Sequence, residues 1–318
     1  MMPAEQSIEL SFCVVNTEKR DLLLRCLDAI GDERAHIPLR TETIVLDNAS
    51  DDGSAQAAAE HHAVDRVIAL SRRSGKARND SRLLMAAQGD FALLLNEDSQ
   101  LMPGATLALY DEMKVRPGAA LAGAALLDPE GRPRPCAWRF PTAWTALAAA
   151  LFLHRVLVVQ SGGAETREVD WCQSSALMVR CSAAEQVGYL DDDFFVYSDE
   201  VDFAKRLRNA RWASVYVGQS RAIHHEQLTA DTAPARIVEF ARNRDLYMSK
   251  HHMLAHRFAF RWITAASYTV RGLLALFVPG RSARRYFRHA SAALRPSRGS
   301  GIREAASAYN HQLASADE

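Results

Sequence analysis

The 318-residue chain lacks paired cysteines, a signal-peptide pattern and any formal net charge, and each absence narrows its class. Its five cysteines form no CxxC pair, so the sequence predicts neither a zinc knuckle nor a disulfide framework and favours a reducing compartment. No basic segment followed by an apolar run lies near the N-terminus, so we expect no signal peptide. With 48% apolar and 24% charged residues, the composition excludes a disordered or collagen-like chain.

The charge is unevenly distributed along the chain. Between Arg236 and Arg298 there are 12 arginines and Lys250 against two acidic residues, so this stretch carries +11 and the remainder −11. Zero net charge argues against a nucleic-acid partner. A basic C-terminal quarter on an acidic body instead predicts contact with phosphate groups or an anionic lipid surface.

Two apolar runs, residues 143–159 and 262–278, are interrupted by charged residues. Both are shorter than the roughly 20 apolar residues that a spanning helix needs. We therefore expect a cytoplasmic protein, with a peripheral position at the inner face of the plasma membrane as a further hypothesis. Residues 256–290 alternate arginine with aromatic and aliphatic side chains, which suits an interfacial helix and equally a packed helical hairpin with a solvated face.

Strand-like apolar runs alternate with helical patterns in the first half of the chain. The predicted strands cover residues 8–15, 41–47, 65–70 and 90–96, and the segments between them read as helices. This alternation predicts an α/β fold with a mostly parallel sheet. Because ligands of such sheets bind at the carboxyl ends of strands, the polar residues at 16–17, 47–54 and 96–99 should converge on one site. The sequence contains neither GxGxxG nor GxxxxGK[ST], which disfavours a dinucleotide enzyme or a P-loop NTPase.

Acidic residues follow the fourth predicted strand and open a later amphipathic helix. Asn96-Glu97-Asp98 could hold a hard divalent cation that bridges a diphosphate, or could form only an acidic loop or helix cap. Carboxylates at 199, 200 and 202 lie in the first turn of the later helix. These carboxylates either stabilise the positive end of the helix dipole or supply a general base.

Three further positions have a functional and a structural interpretation. His224-His225 follows a late strand at 213–218, where at most one imidazole would enter a site as a metal ligand. Asp47 could bind a ribose or base, or close an Asx-turn. Arg78 could pair with a diphosphate, or remain a solvated arginine.

Taken in order, these motifs resemble the inverting family 2 glycosyltransferases with the GT-A fold. Within that family they resemble the rhamnosyltransferase-like branch of bacterial cell-surface polysaccharide synthesis. The resemblance covers roughly residues 8–252, and its specificity comes from the order of motifs that are individually weak. The motifs are SFCVVNTEKRDLLLRCL, IVLDNASDDGS, SGKARN, GDFALLLNEDSQL, VDWCQSSALMVR, GYLDDDFFVYSDEVDFAKRLRNARW, AIHHE and ARNRDLYMSKHH.

The resemblance implies a GT-A (Rossmann-like) fold and a role for ten residues. Glu200 is expected as the catalytic base, with Asp199 as its catalytic neighbour, and Asp98 as a metal ligand completed by His224. The remaining expected roles are donor-nucleotide binding by Asn16, Asp47, Arg78 and Glu97, and acceptor binding by Trp171 and Asp202. Three positions depart from the family pattern: Ser174-Ser175 replaces Gly-Ala, the acidic pair reads Asp-Glu, and Asp80-Ser81 replaces a small residue or glycine.

The expected reaction is inverting transfer of a sugar, L-rhamnose by branch resemblance, with Mg²⁺ or Mn²⁺ as cofactor. The donor would be a dTDP-, UDP- or GDP-linked sugar, and the acceptor a hydroxyl of a saccharide or lipid-linked molecule. One alternative is a sugar-phosphate nucleotidyltransferase, although the turn NTEKRD lacks the glycines of its phosphate loop. Another is an inactive partner in a polysaccharide assembly complex, although Asp98, Glu200 and His224 are all retained.

We predict three regions along the chain. A glycosyltransferase domain covers residues 1–230, with a nucleotide-sugar half to about residue 127 and an acceptor half from about 128. A basic amphipathic helical extension follows at 231–295, and residues 296–318 are expected to form a flexible tail.

Overall fold

The computed structural model describes residues 7–225 and 233–316, which contain a nine-stranded sheet flanked by helices. The strand order is β3-β2-β1-β4-β10-β6-β11-β5, with β8 also paired to β11. The strands of this sheet are β1 (Leu10–Asn16), β2 (Thr41–Asp47), β3 (Arg66–Ala69), β4 (Phe91–Asn96), β5 (Ser99–Leu101), β6 (Ala119–Leu127), β8 (Thr166–Val169), β10 (Ala176–Arg180) and β11 (Ala213–His224). A separate two-stranded sheet pairs β7 (Ala137–Trp138) with β9 (Trp171–Cys172).

Most strands of the large sheet run in one direction, and only β5, β8 and β10 oppose it. Every residue of β1 is buried, as expected for a parallel strand that is covered on both faces. The predicted α/β fold with a mostly parallel sheet is therefore confirmed. The register places Asn16 opposite Asp47, and Val15 opposite Asn96, so three polar strand ends meet at one edge.

The helices form two layers on the sheet and a C-terminal group. They are α1 (Arg20–His36), α2 (Ser54–Ala59), α3 (Lys76–Ala86), α4 (Ala105–Val115), α5 (Ala143–Ala150), α6 (His154–Leu157), α7 (Cys181–Gln186), α8 (Asp199–Asn209), α9 (Ala233–His251), α10 (Leu254–Ala275), α11 (Ala283–Leu294) and α12 (Ile302–Ala316). Helix α1 contacts α2 and binds the start of α4 through buried Glu33, which accepts from the backbone amides of Gly104 and Thr106. Helix α3 contacts both α7 and α8.

The basic C-terminal extension is helical, as predicted. Helix α10 packs between α5 and α11, and it is fixed to α9 by two ion pairs. Asp245 of α9 accepts from Arg257 Nε at 3.0 Å and from Arg261 Nε at 2.6 Å. Among the described residues, no helix is long and apolar enough to cross a membrane.

Within the tail predicted at 296–318, residues 302–316 form helix α12. The helix is attached to the loop that follows β3. Asn310 Oδ1 accepts from the backbone amide of Arg73 at 2.7 Å, and the Arg73 guanidinium lies 3.4 Å from the centre of the Tyr309 ring. Residues 317–318 lie outside the described part, as do residues 226–232 at the predicted domain boundary, so the domain division stays a prediction.

Candidate active site

Asn16 and Asp47 form the first part of the site, at the ends of β1 and β2. Asn16 Nδ2 donates to Asp47 Oδ1 at 2.9 Å, and the backbone amide of Ser50 donates to Asp47 Oδ2 at 2.9 Å. Asp47 therefore closes its own turn, as its structural interpretation predicted. Asn16 Oδ1 is buried and has no hydrogen-bond partner among the described residues, so it leaves one acceptor open towards the site.

Arg78 lies in the first turn of α3, away from this pair. It is exposed, and its Nε is 3.6 Å from Asp192 Oδ2. It lines a cavity of about 390 Å³ together with Arg72, Arg73 and Arg82. The structure thus places Arg78 in an arginine-rich surface and does not bring it into contact with Asn16 or Asp47.

Glu97 and Asp98 follow β4, and both form an ion pair with Lys19. Lys19 Nζ lies 3.0 Å from Glu97 Oε1 and 3.1 Å from Asp98 Oδ2. Burial raises the pKa of Glu97 although Lys19 opposes the shift. Burial would also raise the pKa of Asp98, but His224 and Lys19 outweigh it and hold that pKa well below its ordinary value. Asp98 is thus ionised over the physiological range.

His224 ends β11 and brings an imidazole to Asp98. His224 Nε2 lies 3.1 Å from Asp98 Oδ1 and 3.3 Å from Ser175 Oγ. The backbone amide of His225 donates to the carbonyl oxygen of Asp98 at 2.8 Å, which fixes the two loops together. The other imidazole, His225, turns away to Gln100 Oε1 at 3.1 Å, so one of the two histidines enters the site, as predicted.

The Asp98–His224 pair fits a divalent cation. Asp98 Oδ1 is buried without a hydrogen-bond partner among the described residues, because the approach of His224 is close but poorly aligned for hydrogen bonding. A carboxylate oxygen and an imidazole nitrogen are both ligands of Mn²⁺-type ions. No group of three ligating side chains is present in the described part of the chain, so the remaining ligands would come from a substrate or water.

Asp199 and Glu200 begin α8 after a turn in which Tyr197 and Ser198 have φ values of 69° and 63°. Two successive left-handed residues that are not glycine are uncommon and store strain, which is frequent at functional sites. Asp199 is 1% exposed, and burial together with the negative charge of Glu200 raises its pKa well above the ordinary value, against the effect of Lys76. Glu200 is half-buried and lies on the wall of a large cavity.

This cavity, which we call the aromatic cavity, has a volume of about 540 Å³. It is enclosed by α5, α9, α10 and α11 and by the small sheet of β7 and β9. Trp138 and Trp171 stack in its wall with ring centres 4.6 Å apart, and Trp171 Nε1 donates to the carbonyl oxygen of Arg139 at 3.1 Å. Its other aromatic lining residues are Tyr197, Phe240, Phe260 and Tyr268. The cavity thus brings Glu200 and Trp171, two of the predicted site residues, together.

Asp202 is not brought to the aromatic cavity. Its Oδ2 accepts from Arg206 Nε at 2.7 Å, and its Oδ1 lies 2.7 Å from His251 Nε2. With both oxygens engaged at 1% exposure, Asp202 fastens α8 to α9. The spacing of four residues to Arg206 was a sequence signal for this pairing, because residues i and i+4 face each other on a helix.

Two residues of the site were missed from the sequence. Lys19 was not considered, although it follows the polar end of β1 and balances two carboxylates. Arg244 lies on the cavity wall, and its segment ARNRDLYMSKHH was noted only as part of the resemblance. No local sequence pattern identifies either residue as part of the site.

Comparison with known proteins identifies the family. Residues 11–156 match the family described as "Glycosyl transferase family 2". The chain is 30% identical over 265 residues to the N-acetylglucosaminyl-diphospho-decaprenol L-rhamnosyltransferase of Mycobacterium tuberculosis strain H37Rv, covering 76% of this chain and 85% of that protein. The chain belongs to glycosyltransferase family 2. It is a glycosyltransferase, as the resemblance implied, rather than a nucleotidyltransferase.

Solved structures show the same fold. The mannosyltransferase PcManGT from Pyrobaculum calidifontis, in complex with GDP-Man and Mn²⁺, aligns with a TM-score of 0.55 at 16% identity over 98% of this chain and 81% of that one. TarS 1-349 of S. aureus, in complex with UDP-GlcNAc, aligns with a TM-score of 0.55 at 12% identity over 90% and 82%. The expected GT-A fold of this family 2 enzyme is confirmed.

Proposed function

We propose that this glycosyltransferase moves a sugar, L-rhamnose by its similarity to the mycobacterial relative, from a nucleotide-diphosphate sugar to a lipid-linked saccharide with inversion. The observation that carries the proposal is the position of Glu200. Its half-buried carboxylate lies on the wall of a cavity lined by stacked tryptophans and closed by the basic C-terminal helices. Flat aromatic rings suit the apolar face of a sugar, and a nearby carboxylate suits its hydroxyl.

In the proposed reaction, Glu200 accepts the proton of the acceptor hydroxyl while that oxygen attacks the anomeric carbon. The bond to the nucleoside diphosphate breaks on the opposite side, so a single displacement inverts the configuration. Burial and the negative charge of Glu200 raise the pKa of the Asp199 carboxyl group, which is buried directly before Glu200 at the start of α8 and is assigned a positioning role. The two adjacent carboxyl groups therefore have different roles.

Asp98 and His224 would hold Mg²⁺ or Mn²⁺, and the cation supplies charge neutralisation for the leaving diphosphate. Asn16 offers its unpartnered Oδ1 to the donor nucleotide, next to Asp47. Glu97 contributes to this donor site through Lys19, and Arg78 contributes a charge at its periphery. The donor would be dTDP-, UDP- or GDP-linked, and of the predicted acceptor residues Trp171 is the one in the aromatic cavity.

A lipid-linked acceptor is supported by an exposed surface next to the aromatic cavity. The apolar face, as we call it, comprises exposed side chains of α5, α6 and the end of α10, among them Trp144, Val156 and Phe277 with exposures of 76%, 80% and 85%. Arg271 joins its two halves, since its Nη2 donates to the carbonyl oxygen of Ala149 at 2.5 Å. Its other members are Leu147, Leu151, Phe152, Leu153, Leu157, Val270, Leu273, Leu274, Leu276 and Val278.

Exposed arginines follow the apolar face on the connection to α11 and on α11 itself, including Arg281, Arg284 and Arg288. An apolar surface bordered by cations suits a membrane with anionic lipids. We propose that the enzyme works in the cytoplasm as a peripheral protein at the inner face of the plasma membrane, where a lipid-linked acceptor would be presented.

Calorimetric binding of dTDP, UDP and GDP, with and without Mn²⁺, tests the donor site. We expect one nucleotide to bind in a Mn²⁺-dependent manner, and Asp98→Ala to weaken this binding by about tenfold or more, because a metal-ligand contact is lost. Asp111→Ala, an exposed acidic position on α4, serves as the matched control. Equal nucleotide affinity in wild type and Asp98→Ala would contradict the assignment.

A further inference from the structure

Arg244, on the wall of the aromatic cavity, has no hydrogen-bond or ion-pair partner in the part of the chain that the structure describes. It lies on α9 beside the catalytic-base candidate Glu200, and both line the cavity. Its guanidinium makes no hydrogen bond and no ion pair with any residue in 7–225 or 233–316, and it lies 5.1 Å from the centre of the Phe240 ring. Five donors in a fixed plane are therefore available to a ligand.

Unlike Arg244, the neighbouring arginines have a carboxylate partner. Arg257 and Arg261 also lie at the α9–α10 contact, and each is paired through two nitrogens with the carboxylate of Asp245. Burial lowers the pKa of Arg244, while the negative charge of Glu200 has a smaller opposing effect. Arg244 is half-buried, and a bound anion would give its guanidinium the charge-assisted hydrogen bonds that no described residue supplies.

A second arginine is incompletely satisfied at the same cavity. Arg271 Nε is buried and has no hydrogen-bond partner among the described residues. The Arg271 guanidinium lies 6.0 Å from the centre of the Tyr268 ring. Burial raises the pKa of Tyr268, and the positive charges of Arg271 and Arg244 both oppose that shift. His289 stacks on Tyr268 at 4.6 Å, and burial and the charge of Arg285 lower its pKa to about 4, so this imidazole is neutral at physiological pH.

These groups also connect the cavity with the apolar face. The Arg271 guanidinium lies 5.0 Å from the centre of the Phe152 ring, which belongs to that face. A ligand anion at Arg244 and Arg271 would thus have a carboxylate base on one side and an exposed apolar surface on the other. This spatial order of base, anion site and apolar surface matches an acceptor that carries a lipid chain. In such an acceptor one sugar ring separates the phosphate from the reacting hydroxyl.

We infer that Arg244 and Arg271 bind the phosphate groups of the acceptor, placing its sugar between Glu200 and the stacked Trp138–Trp171 pair and its lipid chain along the apolar face. The identity of the acceptor rests on the proposed function. The presence of an anion site at these two arginines does not, since it follows from the absence of a hydrogen-bond or ion-pair partner for Arg244 among the described residues and from the buried, unpartnered Nε of Arg271.

Calorimetry with geranylgeranyl diphosphate and its uncharged alcohol, geranylgeraniol, tests the inference directly. The nucleotide that binds with Mn²⁺ is present at saturation, so that the donor site is occupied. We expect the diphosphate to bind wild type at least about tenfold more tightly than the alcohol, and Arg244→Gln to remove most of that difference. Arg271→Lys should reduce the difference less than Arg244→Gln does, and Arg116→Gln, an exposed arginine directly after α4, should leave the difference unchanged.

Kinetics with a lipid-linked acceptor separate binding from positioning. Arg244→Gln should raise the KM for the acceptor by about tenfold or more and leave the KM for the donor unchanged. A loss of kcat with a shifted pH profile and unchanged affinity for geranylgeranyl diphosphate would overturn the inference, because Arg244 would then only position Glu200. A parallel loss of nucleotide binding would also overturn it, because the arginine would serve the donor.

Failure of the proposed function and failure of the anion site would give different combinations of results. If no sugar is transferred but geranylgeranyl diphosphate binding still depends on Arg244, the anion site stands and the reaction assignment falls. If transfer proceeds and Arg244→Gln binds the diphosphate like wild type, the reaction stands and the anion site falls. Thermal unfolding of each variant establishes that it is folded at the assay temperature.

Discussion

At the scale of single residues, Asp199 and Glu200 show how burial separates two adjacent carboxyl groups. Both open the first turn of α8, but Asp199 is 1% exposed with a strongly raised pKa, whereas Glu200 faces the aromatic cavity. A carboxyl group that lines a cavity can reach a substrate hydroxyl, whereas a fully buried one outside the cavity lining cannot. The positions of the two groups therefore support the proposal that the second one is the base.

Isosteric amides at these two positions test this assignment. Glu200→Gln should lower kcat by about 10³-fold, because the general base is lost while the shape is kept. Asp199→Asn should lower kcat by less than about tenfold, since Asp199 does not line the aromatic cavity and an amide keeps its shape. Steady-state rates and nucleotide affinity measure both effects. A greater loss of kcat in Asp199→Asn than in Glu200→Gln would reverse the assignment.

How far the sequence predicted the site depends on what positions each residue. Asn16, Asp47 and Asp98 follow adjacent strands, so the fold alone brings their backbones to one edge of the sheet. Asp202 and Arg244 depend instead on which helix packs against them. The His251 partner of Asp202 lies 49 residues away and could not be predicted from local spacing.

At the scale of elements, the contact between α9 and α10 shapes the aromatic cavity. Asp245 is 9% exposed and accepts from two arginines of α10. Burial would raise the pKa of Asp245, but the hydrogen bonds from Arg257 and Arg261 lower it overall. A carboxyl group with a lowered pKa in the folded state stabilises the fold above its unfolded pKa and loses this contribution as pH falls through the folded value.

Asp245→Asn should therefore lower the free energy of unfolding at pH 7 by about 2 kcal/mol, because two charge-assisted pairs are lost. The difference from wild type should shrink as the pH falls below about 4, where the unfolded carboxyl group is protonated. Chemical denaturation across this pH range measures it. Asp192→Asn is the control, since its pair with Arg78 is exposed and longer, and should change stability by less than about 0.5 kcal/mol. A difference that persists unchanged at low pH would refute the electrostatic origin.

Helix α12 shows a limit of prediction at the element scale. Its residues fall in the segment 296–318 that the sequence analysis assigned to a flexible tail. The helix is fixed by contacts that are remote in sequence, such as those of Asn310 with the backbone of Arg73, 237 residues away. No local sequence pattern predicts contacts between residues so far apart in the chain.

At the scale of the whole molecule, the basic C-terminal quarter contributes both packing and an exposed surface. On α10, Gly272 lies so close to α11 that a Cβ atom there would be 2.8 Å from the Phe287 ring, while Leu273 and Leu274 are about half exposed. The packed side of α10 agrees with the hairpin interpretation, and its exposed apolar side chains are the ones that the interfacial interpretation would use. The two apolar runs of the sequence, residues 143–159 and 262–278, lie together because α5 packs against α10.

We propose that the donor edge, Glu200 and the apolar face together serve a reaction at a membrane surface. The most direct test presents a lipid-linked N-acetylglucosaminyl diphosphate in anionic vesicles together with dTDP-, UDP- and GDP-linked sugars and Mn²⁺, and determines the anomeric configuration of the product by NMR. The account predicts transfer from one donor, with the configuration at the anomeric carbon opposite to that of the donor. A product with retained configuration would contradict the single displacement assisted by Glu200, and the absence of transfer from every donor would contradict the lipid-linked acceptor.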